Sequence, residues 1–148
     1  MSLEMTVEER ETFLADLHVG ILSVNNGAKG PLSLPIWYAY EPGGELRIIT
    51  DETSHKAKLL NAAGRFSLCA QTEEAPYKYV SVEGPITSTR PADSEADLRP
   101  MAQRYLGTDL GNAYAETNTV QGQIVISMRP ERWRTTDYSK EYATTAVE

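Results

Sequence analysis

The residues best suited to chemistry in this sequence lie between Thr50 and Lys58. A strand is expected to end there, a short polar loop follows, and a helix is predicted over Thr53–Ala63, with Gly64 as its C-terminal stop. His55, Lys56 and Lys58 fall near the start of that helix. Unpaired backbone N–H groups and the helix dipole favour an anion at such a start, while the dipole repels lysine. Lysines at this end make sense if a phosphate sits between them and the helix. Thr50, Thr53 and Ser54 add hydroxyl donors. An ordinary solvated helix face would carry the same residues, and the pattern alone leaves both readings open.

A second signal is the aromatic stretch Ile36-Trp37-Tyr38-Ala39-Tyr40. Alternation puts Trp37 on one face and Tyr38 and Tyr40 on the other, so one set suits the core and the other a planar ligand or a partner subunit. Tyr79, in Pro76–Gly84, is a candidate cofactor contact or a plain cross-strand aromatic. Nucleophile elbows, Walker loops and dinucleotide fingerprints are absent from the sequence. With His18 and His55 as the only histidines and Cys69 as the only cysteine, no metal site is expected, and Cys69 reads as a core residue.

These residues need elements to hold them. Thr6 and Glu9 have capping-box spacing and predict an opening helix with Val7, Phe13, Leu14 and Leu17 on one face. Strands are expected at Val19–Val24, Leu32–Tyr40 (interrupted by Pro35), Leu46–Thr50, Phe66–Gln71, Tyr77–Ser88 and Gln123–Met128, with a seventh at Arg132–Thr136. Asn25-Asn26-Gly27 and Pro42-Gly43-Gly44 mark turns. In Tyr77–Ser88 one face carries Tyr77, Tyr79, Ser81 and Glu83, and the other Lys78, Val80, Val82 and Gly84. Helices are expected at Asp93–Leu106, disturbed at Pro100, and at Leu110–Thr117. Short turns between strands, with helices inserted, indicate a mostly antiparallel, mainly β (α+β) barrel with peripheral helices.

The 148 residues fit one domain, 1–148. Residues 1–5 read as a loose, tag-derived start and 139–148 as a loose tail. Fourteen Lys+Arg against 21 Asp+Glu leave a net charge of −7, which gives no general attraction for nucleic acid or an anionic membrane. A lone cysteine and the lack of a secretory pattern or a long apolar run suit the cytoplasm.

Taken in order, these motifs resemble the pyridoxamine 5′-phosphate oxidase-like split β-barrels, a superfamily of flavin- and deazaflavin-dependent oxidoreductases. The most specific piece is Ser54-His55-Lys56-Ala57-Lys58, similar to the family's Ser-Arg-Lys-Ala segment and followed, as in the family, by Arg65-Phe66-Ser67-Leu68. Pro76–Gly84, Met101–Gly107 and Met128–Trp133 resemble later family segments.

The resemblance implies a six- to seven-stranded FMN-binding-type split barrel that forms a homodimer with cofactors in clefts between the barrels. The cofactor would be FMN or coenzyme F-420. The activity implied is hydride transfer to a small conjugated organic substrate, and the alternative on the same fold is a non-catalytic FMN, F-420 or haem carrier. His55 and Lys56 would meet the cofactor phosphate, with Ser54, Thr50 and Ile49 beside it. Leu34, Pro35, Ile36 and Trp37 would run along the ring, and Tyr79 stands where classical oxidases carry a glutamine. Lys58, Lys78 and Arg65 would meet the acidic tail of F-420. No catalytic residue is assigned. The Arg-x-His ending of true pyridoxamine-phosphate oxidases is replaced by Asp137-Tyr138-Ser139-Lys140, which argues against vitamin B6 synthesis.

Overall fold

The structure, a computed structural model, describes residues 2–141. Its elements run α1 (Val7–Ala15), β1 (Gly20–Asn26), β2 (Lys29–Ile36), β3 (Tyr38–Ala39), β4 (Leu46–Asp51), α2 (His55–Ala63), β5 (Arg65–Gln71), β6 (Lys78–Pro91), a π-helical turn (Ser94–Leu98), α3 (Arg99–Leu106), α4 (Thr108–Thr117), β7 (Gln123–Met128) and β8 (Arg132–Asp137).

All strand pairings are antiparallel, in the order β2-β1-β5-β6-β7-β4-β3, with β8 also on β6. Only Trp37 separates β2 from β3, so the two ends of that path are one stretch of chain and the sheet closes on itself. The single strand expected over Leu32–Tyr40 is therefore divided between two sheets. β7 and β8 likewise follow one another along β6, Met128 opposite Ile86 and Arg132 opposite Glu83. The result is a split barrel, mainly β with peripheral helices. β6 is longer than the Tyr77–Ser88 expected, because its second half serves the second sheet.

The break at Trp37 is held from outside by α3. The Tyr105 hydroxyl accepts from the Tyr38 N–H at 3.0 Å and lies 2.6 Å from the His18 carbonyl oxygen. Inside, the fully buried Tyr38 donates its hydroxyl to the Leu14 carbonyl at 2.7 Å. Tyr105→Phe would strip two backbone groups of their partner while keeping the ring. It is expected to lower unfolding free energy by about 2–3 kcal/mol in urea denaturation. A loss under about 1 kcal/mol would mean that water replaces the hydroxyl.

In β6, Val80, Val82 and Gly84 point inward and are buried, as alternation predicts. The capping box of α1 forms in both directions, at 2.8 and 3.1 Å. Only Phe13 and Leu14 of its expected apolar face are buried; Val7 and Leu17 are exposed, since α1 ends at Ala15 before Leu17 joins a face. The predicted helix Asp93–Leu106 is a π-helical turn followed by α3, because Pro100 cannot donate a backbone hydrogen bond and suits the first turn of a new helix. α3 and α4 pack backbone to backbone: a Cβ on Gly111 would lie 2.5 Å from the Gln103 Cα.

The start expected to be loose is tied down. The Leu3 carbonyl accepts from the Asp137 N–H at 2.8 Å, and Lys140 donates to the Glu4 carbonyl at 2.7 Å. Of the tail 139–148, residues 142–148 lie outside the described residues.

Candidate functional site

At the end of β4 the chain turns sharply into α2. Asp51 makes the turn: its Oδ1 accepts from the Thr53 N–H at 2.8 Å and the Thr53 hydroxyl at 2.6 Å. These bonds hold its carboxyl below the usual range. Ser54 is the N-cap, its Oγ accepting from the Ala57 N–H at 3.0 Å and donating to the Asp51 carbonyl at 2.8 Å. The buried Thr50 Oγ1 lies 3.4 Å from the Ser54 Oγ. The hydroxyls of Thr53 and Ser54 are thus engaged in shaping the loop. The N–H groups of His55 and Lys56, at the first helical positions, have no intrahelical acceptor and remain for a ligand.

Lys56 is half-buried and forms no ion pair or side-chain hydrogen bond with any described residue. Its pKa is lowered by burial alone. Lys56 is thus a partly desolvated cation in the first turn of a capped helix, with no carboxylate partner among the described residues. His55 next to it is exposed.

The structure divides the remaining candidates. Lys58 stands about 200° around the helix from Lys56. It lines a separate cavity of about 470 Å³ with Ala57, Leu60, Ile86 and Ile124. Ile49 faces outward from β4 into a cavity of about 490 Å³ with Arg47, Arg90 and Met101, on the opposite side of the strand from buried Thr50. Leu34, Pro35 and Ile36 pair with Leu22, Ile21 and Gly20. Pro35 sits on a strand at the end of the sheet path, where a missing N–H is tolerated. Ile36 is buried opposite Gly20, and across the break at Trp37 Tyr38 lies opposite Ile48. The Trp37 ring lies parallel to Tyr105, centroids 4.9 Å apart and planes within 4°, with Tyr114 tilted at 5.9 Å.

Tyr79 is exposed on the outer face of the first sheet, between Gln71 and Thr136. The neighbouring row reads Pro35, Ile21, Cys69, Ser81 and Arg134. Cys69 is therefore not in the core: Phe66, Leu68 and Ala70 point inward, and parity turns Cys69 out, half-buried. Val19, Ile21 and Tyr79 expose apolar surface on this face. Arg65 faces Glu83 and Glu131 at 3.6 and 3.9 Å, and Lys78 lines a cavity with Glu8 and Glu9; both basic groups already have acidic neighbours.

Sequence reasoning missed Asp51 and Tyr105. Asp51-x-Thr53 is a readable turn signature, whereas nothing local marks Tyr105 as the partner of Tyr38. Among the described residues there is no group of three or more His, Cys, Asp or Glu able to hold a metal, and no helix long and apolar enough to cross a membrane.

A split barrel with a capped, lysine-bearing helix start at the end of one strand is the class this geometry defines. The chain belongs to the pyridoxamine 5′-phosphate oxidase family, whose model matches residues 6–137. No curated protein sequence matches it. Among solved structures it is similar to an "F420 Reductase" (21% identity, TM-score 0.71, covering 84% of this chain and 94% of that one). It is also similar to a conserved hypothetical protein from Mycobacterium tuberculosis (21%, TM-score 0.74, 93% and 88%). A third is an FAD-binding protein from Mesorhizobium loti (17%, TM-score 0.64, 88% and 94%).

Proposed function

We propose that this protein is a cytoplasmic, homodimeric oxidoreductase that uses FMN or coenzyme F-420 to reduce a small conjugated organic molecule. The observation that carries the reading is Lys56, a half-buried cation without a described partner at the capped start of α2. Family membership and the printed names of two structural neighbours, an F420 reductase and an FAD-binding protein, support a flavin-type ligand.

The cofactor, when bound, supplies the hydride chemistry. Lys56 holds its phosphate, with the N–H groups of His55 and Lys56 and the exposed imidazole of His55 alongside. Thr50 and Ser54 keep the loop in shape. Leu34, Pro35, Ile36 and Trp37 form the wall beside the ring, and the stack on Tyr105 keeps Trp37 from rotating. Ile49 and Lys58, which line other cavities, fall outside this set. The apolar outer face around Val19, Ile21 and Tyr79 is the surface that a second copy covers, which brings Tyr79 to the cleft.

Parallel fluorescence titrations with FMN and with F-420 test the reading, and saturable binding of one is the expected result. Binding of neither would sink it. Binding without acceptor-dependent oxidation of the reduced cofactor would instead identify a carrier. Ile21→Glu puts a charge in the middle of the proposed interface and is expected to give a sedimentation mass of one chain where the parent gives two. A parent that sediments as one chain removes the dimer.

A further inference from the structure

A separate cavity of about 500 Å³ lies between the middle of α1, the β3–β4 turn and the β7–β8 connection, and shares no residue with the α2 site. Its size is in the range of small-molecule pockets. Arg10 is its distinctive wall. The guanidinium carbon sits 4.5 Å from the Trp133 ring centroid, and Nε is buried without an acceptor. No described residue gives this side chain a hydrogen bond or an ion pair. Stacking on a ring supplies no hydrogen-bond acceptor, so the N–H groups of the guanidinium still need acceptors.

Of the other charged residues around the cavity, Arg129 is ion-paired and Glu45 is hydrogen-bonded. β6 carries a bulge between Ile86 and Ser88 that makes Thr87 the extra residue. The Thr87 hydroxyl donates to Glu45, and Arg129 pairs with Glu131 at 3.1 Å. Glu11 also lines the cavity and disfavours a ligand of high negative charge. Trp133, with Tyr40 edge-on at 6.2 Å, and Pro130 supply apolar walls.

We infer that this cavity binds a small monocarboxylate with a flat apolar body, its carboxylate seated on the Arg10 fork and its body against Trp133 and Pro130. A planar guanidinium matches a carboxylate through two parallel hydrogen bonds, which a point charge does not provide.

The test is an NMR titration of the full chain with sodium benzoate at constant ionic strength. The chain has two tryptophans, so Trp37→Phe assigns the Trp133 indole signal. The expected result is a saturable shift of the Trp133 indole and of the Gly43 and Gly44 amides. Arg10→Gln should weaken binding at least about tenfold, and Arg10→Lys, which keeps the charge but loses the fork, by a few-fold to tenfold. Should Arg10→Gln fail to fold, Arg10→Lys carries the test. Lys56→Ala should leave the titration unchanged, so failure at this cavity and failure at the α2 site read separately. A shift linear in benzoate, or an unaltered titration in the Arg10 variants, overturns the inference. Inorganic phosphate binding more tightly than benzoate overturns the carboxylate assignment.

Discussion

Gly84→Ala is expected to destabilise the protein by at least about 3 kcal/mol, or to prevent folding, from the addition of one methyl group. The cause lies where β7 gives way to β8. Both pair with the same edge of β6, and the connection kinks beside Gly84: the Arg129 N–H donates to the Pro85 carbonyl at 3.0 Å and the Glu131 N–H to the Glu83 carbonyl at 2.9 Å. The kink folds the Arg129 carbonyl over Gly84, so that a Cβ there would lie 1.7 Å from its oxygen. Backbone pinned by hydrogen bonds on both sides cannot retreat without breaking the ladder. Gly20→Ala is the internal contrast. The nearest atoms to its Cβ would belong to the Leu68 side chain, at 2.8 Å, and a side chain can change rotamer, so a loss under about 2 kcal/mol is expected. Urea denaturation of the two variants checks the difference. A Gly84→Ala variant no less stable than Gly20→Ala would show that the kink relaxes freely.

Lys56→Ala should weaken cofactor binding by roughly ten- to a hundredfold with little change in stability, the range for losing a charge-assisted hydrogen bond to phosphate. The pH profile gives a second readout. Burial lowers the Lys56 pKa from 10.5, so the unfolded chain binds more protons than the ligand-free fold between that lowered value and 10.5. Stability of the ligand-free protein therefore rises with pH across that window. A bound phosphate favours the ammonium, so cofactor affinity runs the other way and falls as pH climbs above the lowered pKa of the ligand-free fold. The alkaline fall should vanish in Lys56→Ala. Wild-type affinity that is flat with pH there, together with an unchanged dissociation constant in the variant, would place the phosphate elsewhere.

Much of this protein is legible locally. Thr6 and Glu9 cap each other three residues apart, Ser54 caps α2, and Gly64 ends it at φ 70°. Turn residues and alternation locate the strands to within a few residues, because a strand's two faces differ in composition wherever one is buried. The capped start of α2 is local too, since Asp51, Thr53 and Ser54 shape it within a few residues and Lys56 follows in the first turn.

The sequence by itself thus determined most of the elements, the inward face of β6 and the capped start of α2 with Lys56 in its first turn. Only the tertiary structure decided which candidates share that place. It turned Ile49 away from Thr50, gave Lys58 a different cavity, divided the Leu32–Tyr40 strand at Trp37 and put Tyr105 across the break. It also decided that Gly84 must lie under the Arg129 carbonyl. The physical reason is one of range. Capping and turn hydrogen bonds close within three or four residues and depend on local side chains. Barrel closure brings together groups as far apart as Tyr38 and Tyr105, or Gly84 and Arg129, whose partners are set by the register and twist of the whole sheet.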